Sequence, residues 1–212
     1  MPDNSPQPQK KSRGRSGAKQ ASPRGDRLRL ARREHASLEH ASLEHASPEH
    51  ASPEHASGEP VWELAHSRCS RQRKEDLEEV EAMLAAGEVE IAREELVWLL
   101  SECPDFLDAH VQLGLIALDD GDPKLARGHF GRAYELVLRA VEAAGVTGPL
   151  PYALAANRVF FEAAKGLAHT LVATGRGPMA RDLLRRTTQL DPADTLGIRG
   201  VVEGRPTDSC GS

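Results

Sequence analysis

Three segments of the chain repeat one short pattern at helical spacing. Each segment has a glycine, an alanine five residues later, and a large apolar residue four positions further on. The first two copies are offset by 34 residues, and the third follows after an insertion. The copies are Gly87, Ala92 and Leu96, then Gly121, Ala126 and Phe130, then Gly175, Ala180 and Leu184. A repeat of this length indicates one supersecondary unit that is stacked several times.

Residues 59–203 are rich in Ala, Leu, Val, Glu and Arg, with apolar residues spaced as on a helix face. No stretch alternates with a period of two, so the sequence predicts an all-α domain without a sheet. Glycine and proline mark the turns between helices. The predicted helices cover residues 60–86, 88–102, 108–120, 124–144, 152–174, 179–190 and 194–203. The short turns between them predict antiparallel helix pairs.

The repeating unit resembles the tetratricopeptide repeat, a helix–turn–helix unit with the pattern W-x2-L-G-x2-Y…A-x3-F…P. The resemblance covers residues 73–106, 107–140 and 161–194. The residues that fit the pattern are Ala92, Leu96 and Pro104 in the first copy, Leu113, Gly114, Ala126, Phe130 and Ala133 in the second, and Leu167, Ala168, Leu171, Ala180, Leu184 and Pro192 in the third. Asp76, His110 and Ala164 stand where the pattern has Trp. The resemblance implies an antiparallel helix-pair solenoid of about three repeats.

An insertion at residues 141–160 separates the second and third copies. We interpret it as a lengthening of two adjacent helices, which would form a protruding hairpin with Val141, Leu154 and Val159 facing inward. Phe160 and Phe161 come next, and adjacent side chains on a helix point about 100° apart. Two interpretations stay open: neighbouring helices cover both rings, or one ring forms an apolar docking or dimer patch.

The segments on either side of this domain differ from it in composition. Residues 1–58 are low-complexity and are predicted to be disordered, and residues 204–212 form a short polar tail. Residues 1–33 carry a formal charge of +8, so the remainder carries −13 of the net −5. The N-terminus lacks the apolar core of a secretory signal, and no run reaches the roughly 18 apolar residues of a membrane helix. With only three widely spaced cysteines, the chain is predicted to be cytoplasmic, with free thiols and no transmembrane segment.

The tract EHASLEHASLEHASPEHASPEHAS, residues 34–57, places a histidine at every fifth position. The histidines are His35, His40, His45, His50 and His55. On a helix this spacing rotates successive side chains by about 140°, so they would not share a face. Pro48 and Pro53 also interrupt a helix. We therefore interpret the tract as a solvated linker, with metal binding as the alternative.

The resemblance implies a non-catalytic scaffold or adaptor that binds a partner peptide or helix on its concave surface. The best-known ligand mode of the family is a clamp for a C-terminal carboxylate, which needs a Lys and an Asn in the first unit. Leu77 and Glu81 stand at those positions here, so we expect an apolar and acidic groove that takes a basic or apolar segment. The expected groove residues are Leu77, Glu81, Leu84, Asp108, Val111, Leu115, Leu118, Glu162, Lys165 and His169.

Four residues form a second candidate site. His66 and Cys69 lie on the first predicted helix, Cys103 ends the second, and His110 opens the third. Antiparallel packing would bring them together, and two Cys with two His are a typical zinc ligand set. The alternatives are small buried cysteines with surface or capping histidines, or a disulfide between the cysteines. A zinc-stabilised helical-repeat protein is therefore one alternative function, and no other cofactor is expected.

No catalytic motif occurs in the chain. There is no P-loop, no G-x-G-x-x-G and no G-x-S-x-G, so we do not expect an enzyme. Residues 10–33 are basic but lack interleaved aromatic residues, so the rival function is a salt-sensitive association with nucleic acid. A protein or peptide partner is favoured over nucleic acid, and homodimer formation stays open.

Overall fold

A computed structural model describes residues 27–33 and 60–204 of the chain. This part is mostly helical with a small two-stranded sheet. Its elements are β1 (Arg29–Arg33), β2 (Val61–Ala65), α1 (Arg68–Gln72), α2 (Lys74–Ala85), α3 (Val89–Glu102), α4 (Leu107–Asp119), α5 (Pro123–Ala144), α6 (Ala155–Ala173), α7 (Gly177–Leu190) and α8 (Ile198–Glu203). None of these helices is both long enough and apolar enough to cross a bilayer.

The repeated glycine lies in the turn between the two helices of each pair. Gly87, Gly121 and Gly175 have φ angles of +81°, +73° and +70°, a left-handed conformation that glycine adopts without steric cost. The repeated alanine lies one turn into the following helix and is fully buried in all three copies. The short pattern in the sequence is therefore a turn residue followed by a close helix–helix contact.

The helices pack in chain order, each against the next, from α2 to α8. In addition α4 packs against α6, and α6 packs against α8. The core is divided into two clusters, and α4 contributes to both of them. One side of α4 gives Leu107 and Val111 to the cluster around α5 and α6, and another gives Leu113 and Ile116 to the cluster around α2 and α3.

The ring of Phe130, on α5, lies between a glycine of α4 and a glycine of α6. Phe130 is fully buried. A Cβ atom added at Gly114 would lie 2.7 Å from this ring, and one added at Gly166 would lie 2.6 Å from it. Since protein interiors are close-packed, any side chain at either position would displace the ring or separate the helices. These three residues set how closely α4, α5 and α6 approach.

The domain is helical overall, as predicted, but the sheet corrects two predictions, that the domain contains no strands and that it begins with a helix at Pro60. β1 and β2 pair antiparallel, with Arg29 opposite Ala65 and Arg33 opposite Val61. The whole of segment 1–58 was expected to be disordered. β1, Arg29–Arg33, lies in this segment, so that expectation is wrong for these five residues. The rest of that segment, including the EHAS tract, lies outside the described residues, as do residues 205–212.

A buried asparagine holds β2 against the helices. Asn157, on α6, accepts a hydrogen bond from the Leu64 amide at 2.9 Å, and it donates to the carbonyl oxygens of Trp62 at 3.1 Å and Pro151 at 2.9 Å. The Trp62 amide in turn donates to the Pro149 carbonyl at 3.0 Å. The strand is thus defined by contacts with residues about 90 positions away, which a local pattern cannot reveal.

The insertion lengthens α5 to Ala144, as predicted, while α6 begins at Ala155 rather than near Tyr152. The three residues expected to face inward, Val141, Leu154 and Val159, are buried. The loop between the helices is held in place, because the buried Leu150 donates its amide to the Leu190 carbonyl at 2.8 Å.

Replacing Gly166 by alanine is expected to lower the free energy of unfolding by up to about 2 kcal/mol. Overpacking a core costs about 1 to 3 kcal/mol, and the gain in helix propensity offsets roughly 1 kcal/mol of that cost. The matched control is Gly128→Ala on α5, where an added Cβ meets no atom within 4 Å. The control should be neutral or stabilising in urea unfolding. Equal effects of the two substitutions would contradict this packing.

Candidate functional site

A cleft of about 590 Å³ lies where the N-terminal ends of α2, α4 and α6 meet the end of β2. Its walls are mainly apolar, and the charged side chains of Arg71, Lys74 and Asp108 also line it. The lining residues are Leu64, Ala65, His66, Ser70, Arg71, Lys74, Leu77, Phe106, Asp108 and Ala156. This volume is typical of sites that accept a small molecule or a few peptide side chains.

Two carboxylates give this region its electrostatic character. Burial raises the pKa of Asp108, and the charge of His66 and the backbone amide of Asp108 oppose part of that rise. Partial burial also raises the pKa of Glu162, and the negative charge of Asp108 raises it further, against the effect of Arg158. Neither carboxylate forms an ion pair with another described residue. A cation bound here would stabilise the ionised form of both groups.

The expected groove residues differ in how deeply they are buried. Leu77 and Val111 are buried in the core, and Leu77 also lines the cleft together with Asp108. Leu84 and Leu118 are partly buried against the two core clusters. The others lie nearer the surface: Glu81, Glu162 and His169 are exposed, Lys165 is half-buried, and Leu115 is 46% exposed. Burial and the charge of Lys165 lower the pKa of His169, which places these two side chains close together.

The structure does not bring the four candidate zinc ligands together as one group, although the two cysteines do meet. The structure joins Cys69, on α1, and Cys103, after α3, in a disulfide with Cα atoms 5.9 Å apart. The expectation of free thiols is therefore also wrong for these two residues, while Cys210 lies outside the described residues. The described residues contain no group of three or more His, Cys, Asp and Glu side chains that could hold a metal ion.

The two histidines of that candidate site make separate contacts. His66 Nε2 donates to the Ala156 carbonyl at 3.0 Å, at the edge of the cleft. His110 is buried, with Nε2 3.3 Å from the Pro104 carbonyl and Nδ1 3.5 Å from His129 Nδ1. Burial lowers the pKa of His110 to about 4, and the charges of His129 and Arg132 contribute in the same direction.

Phe160 and Phe161 are both buried, with 1% and 2% of their surface exposed. Phe160 stacks on Tyr134 with ring centroids 5.4 Å apart, and Phe161 packs edge-on against Tyr152 at 6.1 Å. Neither ring is available as a docking patch, so the alternative in which neighbouring helices cover both rings is the correct one.

Several residues of the cleft were not expected from the sequence. Leu64, His66, Ser70 and Arg71 come from the segment that was predicted as part of one long helix. Their place depends on the pairing of β2 with β1 and on the bonds to Asn157, both of which join distant parts of the chain. No local pattern in the sequence could have identified them.

Comparisons with protein-family models, with curated proteins and with solved structures find no match to this chain.

The buried His110 gives a pH dependence to folding. Its pKa is lower in the folded state, so the unfolded chain binds a proton first as the pH falls. Stability should be complete above about pH 6.5 and should fall toward pH 4, at a slope approaching about 1.4 kcal/mol per unit. The variant His110→Gln keeps a donor near Pro104 and should reduce this slope in urea unfolding measured across that range. An identical slope in the variant would contradict the burial of a neutral imidazole.

Proposed function

We propose that this chain is a non-catalytic binding scaffold of the tetratricopeptide-repeat type. Two features support the family: the 34-residue register of glycine, alanine and apolar residues, and the sequential packing of α2 to α7 as helix pairs. The repeated glycines adopt equivalent turn conformations, and the repeated alanines are equally buried. In such folds adjacent first helices form one concave surface, which here would be α2, α4 and α6.

The observation that carries the proposed ligand preference is a pair of carboxylates beside an apolar cleft that form no ion pair with a described residue. Asp108 lies in the cleft, and its charge acts on Glu162 on the neighbouring helix. Leu77, Phe106 and Ala156 supply apolar walls at the same place. A peptide segment with a basic side chain next to apolar ones would satisfy both features, because it would pair the carboxylates and fill the cleft.

An acidic partner fits this surface poorly. A carboxylate brought near Asp108 and Glu162 would meet like charge in a partly desolvated site. Arg71 and Lys74 line the same cleft, but both are exposed and screened by solvent, whereas Asp108 is only partly exposed. The proposal is therefore a scaffold that takes a basic and apolar segment and rejects an acidic one.

The test uses the full chain and two labelled amphipathic peptides of equal length, one of Leu and Lys and one of Leu and Glu. The Lys peptide should bind in fluorescence anisotropy, more weakly as salt is raised, and the Glu peptide should not. Asp108→Asn and Glu162→Gln should each weaken binding by about three- to tenfold, as expected for a partly exposed charge pair.

Glu94→Gln is the matched control, since Glu94 is an exposed carboxylate on α3, away from the cleft. It removes the same charge and should leave the affinity for the Lys peptide unchanged. Equal binding of the two peptides, or an equal loss in all three variants, would overturn the proposed preference.

A further inference from the structure

A second cleft, separate from the concave surface, lies between α5 and α7 and encloses about 380 Å³. Leu167 and Leu171 of α6 lie in it, and Leu183 and Met179 of α7 line one side. Met179 is 53% exposed although it lines this cleft. The walls therefore offer an apolar surface in a concave setting, which is the usual setting for a small ligand.

Tyr134 lines this cleft and has a buried hydroxyl without a partner among the described residues. Tyr134 is only 7% exposed, and its Oη atom is covered yet forms no hydrogen bond with any described residue. Its ring is fixed by stacking on Phe160. A buried polar group without a partner costs free energy, and nearly all such groups in folded proteins are satisfied. The Tyr134 hydroxyl is therefore a group that a bound polar atom would stabilise.

The charged side chains around the cleft are not balanced. Its two carboxylates are each neutralised by an arginine: Asp182 pairs with Arg185 at 2.9 Å and Glu135 pairs with Arg139 at 3.3 Å. Its two guanidinium groups, Arg127 and Arg186, form no ion pair within the described part of the chain. The cleft thus presents an excess of positive charge beside its apolar walls.

Tyr134 and Arg186 line the same cleft, and the charge of Arg186 acts on the hydroxyl. Burial raises the pKa of Tyr134 to about 12, and the charge of Arg186 opposes part of that rise. The hydroxyl is therefore protonated at neutral pH and can donate a hydrogen bond toward the region where Arg186 favours negative charge. A neutral donor beside a guanidinium group is a suitable pair for one carboxylate.

We propose that the cleft between α5 and α7 binds an amphipathic monocarboxylate, with its carboxylate at Tyr134, Arg127 and Arg186 and its aliphatic chain against the apolar wall. The site shares α6 with the peptide surface proposed above, but the two clefts have no lining residue in common. A neighbouring cleft of about 560 Å³ shares Leu138 and Arg186, and it gives a longer chain room to continue.

The test is calorimetric titration of the full chain with octanoate and with octanamide, which has the same chain but no charge. Octanoate should bind one to one, with a dissociation constant of about 0.1 to 1 mM for a ligand of this size. Octanamide should bind at least about tenfold more weakly, because it lacks the charge-assisted hydrogen bonds. Equal affinities, or no saturable binding of octanoate, would overturn the proposal.

Three variants locate the site. Arg186→Gln should weaken octanoate binding about tenfold or more, and Tyr134→Phe about three- to tenfold, as expected for loss of a charged and of a neutral hydrogen bond. Arg181→Gln is the matched control, because Arg181 is exposed on the same helix but does not line the cleft. An equal loss in Arg181→Gln and Arg186→Gln would show general charge attraction and would overturn the site.

The thermal stability of the Tyr134→Phe variant distinguishes a hydroxyl that binds a ligand from one that stabilises the fold. Because the Tyr134 hydroxyl has no partner among the described residues, Tyr134→Phe should leave the thermal midpoint of the ligand-free protein unchanged or raise it. A fall of several degrees would show that the hydroxyl is used within the fold, and this would overturn the proposal. Asp108→Asn should not change octanoate affinity, so this site and the peptide surface fail or succeed separately.

Discussion

The arrangement of the helices depends on one aromatic ring that is enclosed by two glycines. Phe130 fills the space that side chains at Gly114 and Gly166 would otherwise occupy, and so it fixes the approach of α4, α5 and α6. The same three helices carry the main functional candidates: Asp108 on α4, Tyr134 on α5 and Glu162 on α6. A change in the separation of these helices would alter both clefts, because each is lined by residues from at least two of them.

The sequence was informative where structure is set by near neighbours. The turn glycines, the buried alanines and the lengthened α5 all follow from residues a few positions apart. The sequence was uninformative where the structure is determined by contacts between residues that are far apart in the chain. β1 and β2 pair across 27 intervening residues, Asn157 fixes β2 from α6, and Cys69 meets Cys103 across 34 positions. Two residues expected from the helix register, Leu77 and Asp108, line the first cleft, whereas Leu64 and His66 line it through contacts that the register does not show.

The two clefts differ in the charge that they leave unpaired. Beside the first, Asp108 and Glu162 form no ion pair with a described residue, and for this reason the partner proposed there is basic. In the second, the acids are already paired and Arg127 and Arg186 remain, so an anion is favoured. Because electrostatic complementarity controls specificity more than total affinity, the two surfaces would select opposite ligands on one small domain.

The most direct test of this account is a double-mutant cycle that combines Gly166→Ala with Phe130→Leu, measured by urea unfolding. Leucine lacks the ring that a Cβ at Gly166 would meet, so alanine at that position should become neutral or stabilising in the Phe130→Leu background. The account predicts a coupling free energy of at least about 1 kcal/mol between the two sites, as for residues in contact. Additivity within about 0.5 kcal/mol would show that the two residues are independent and would contradict the account.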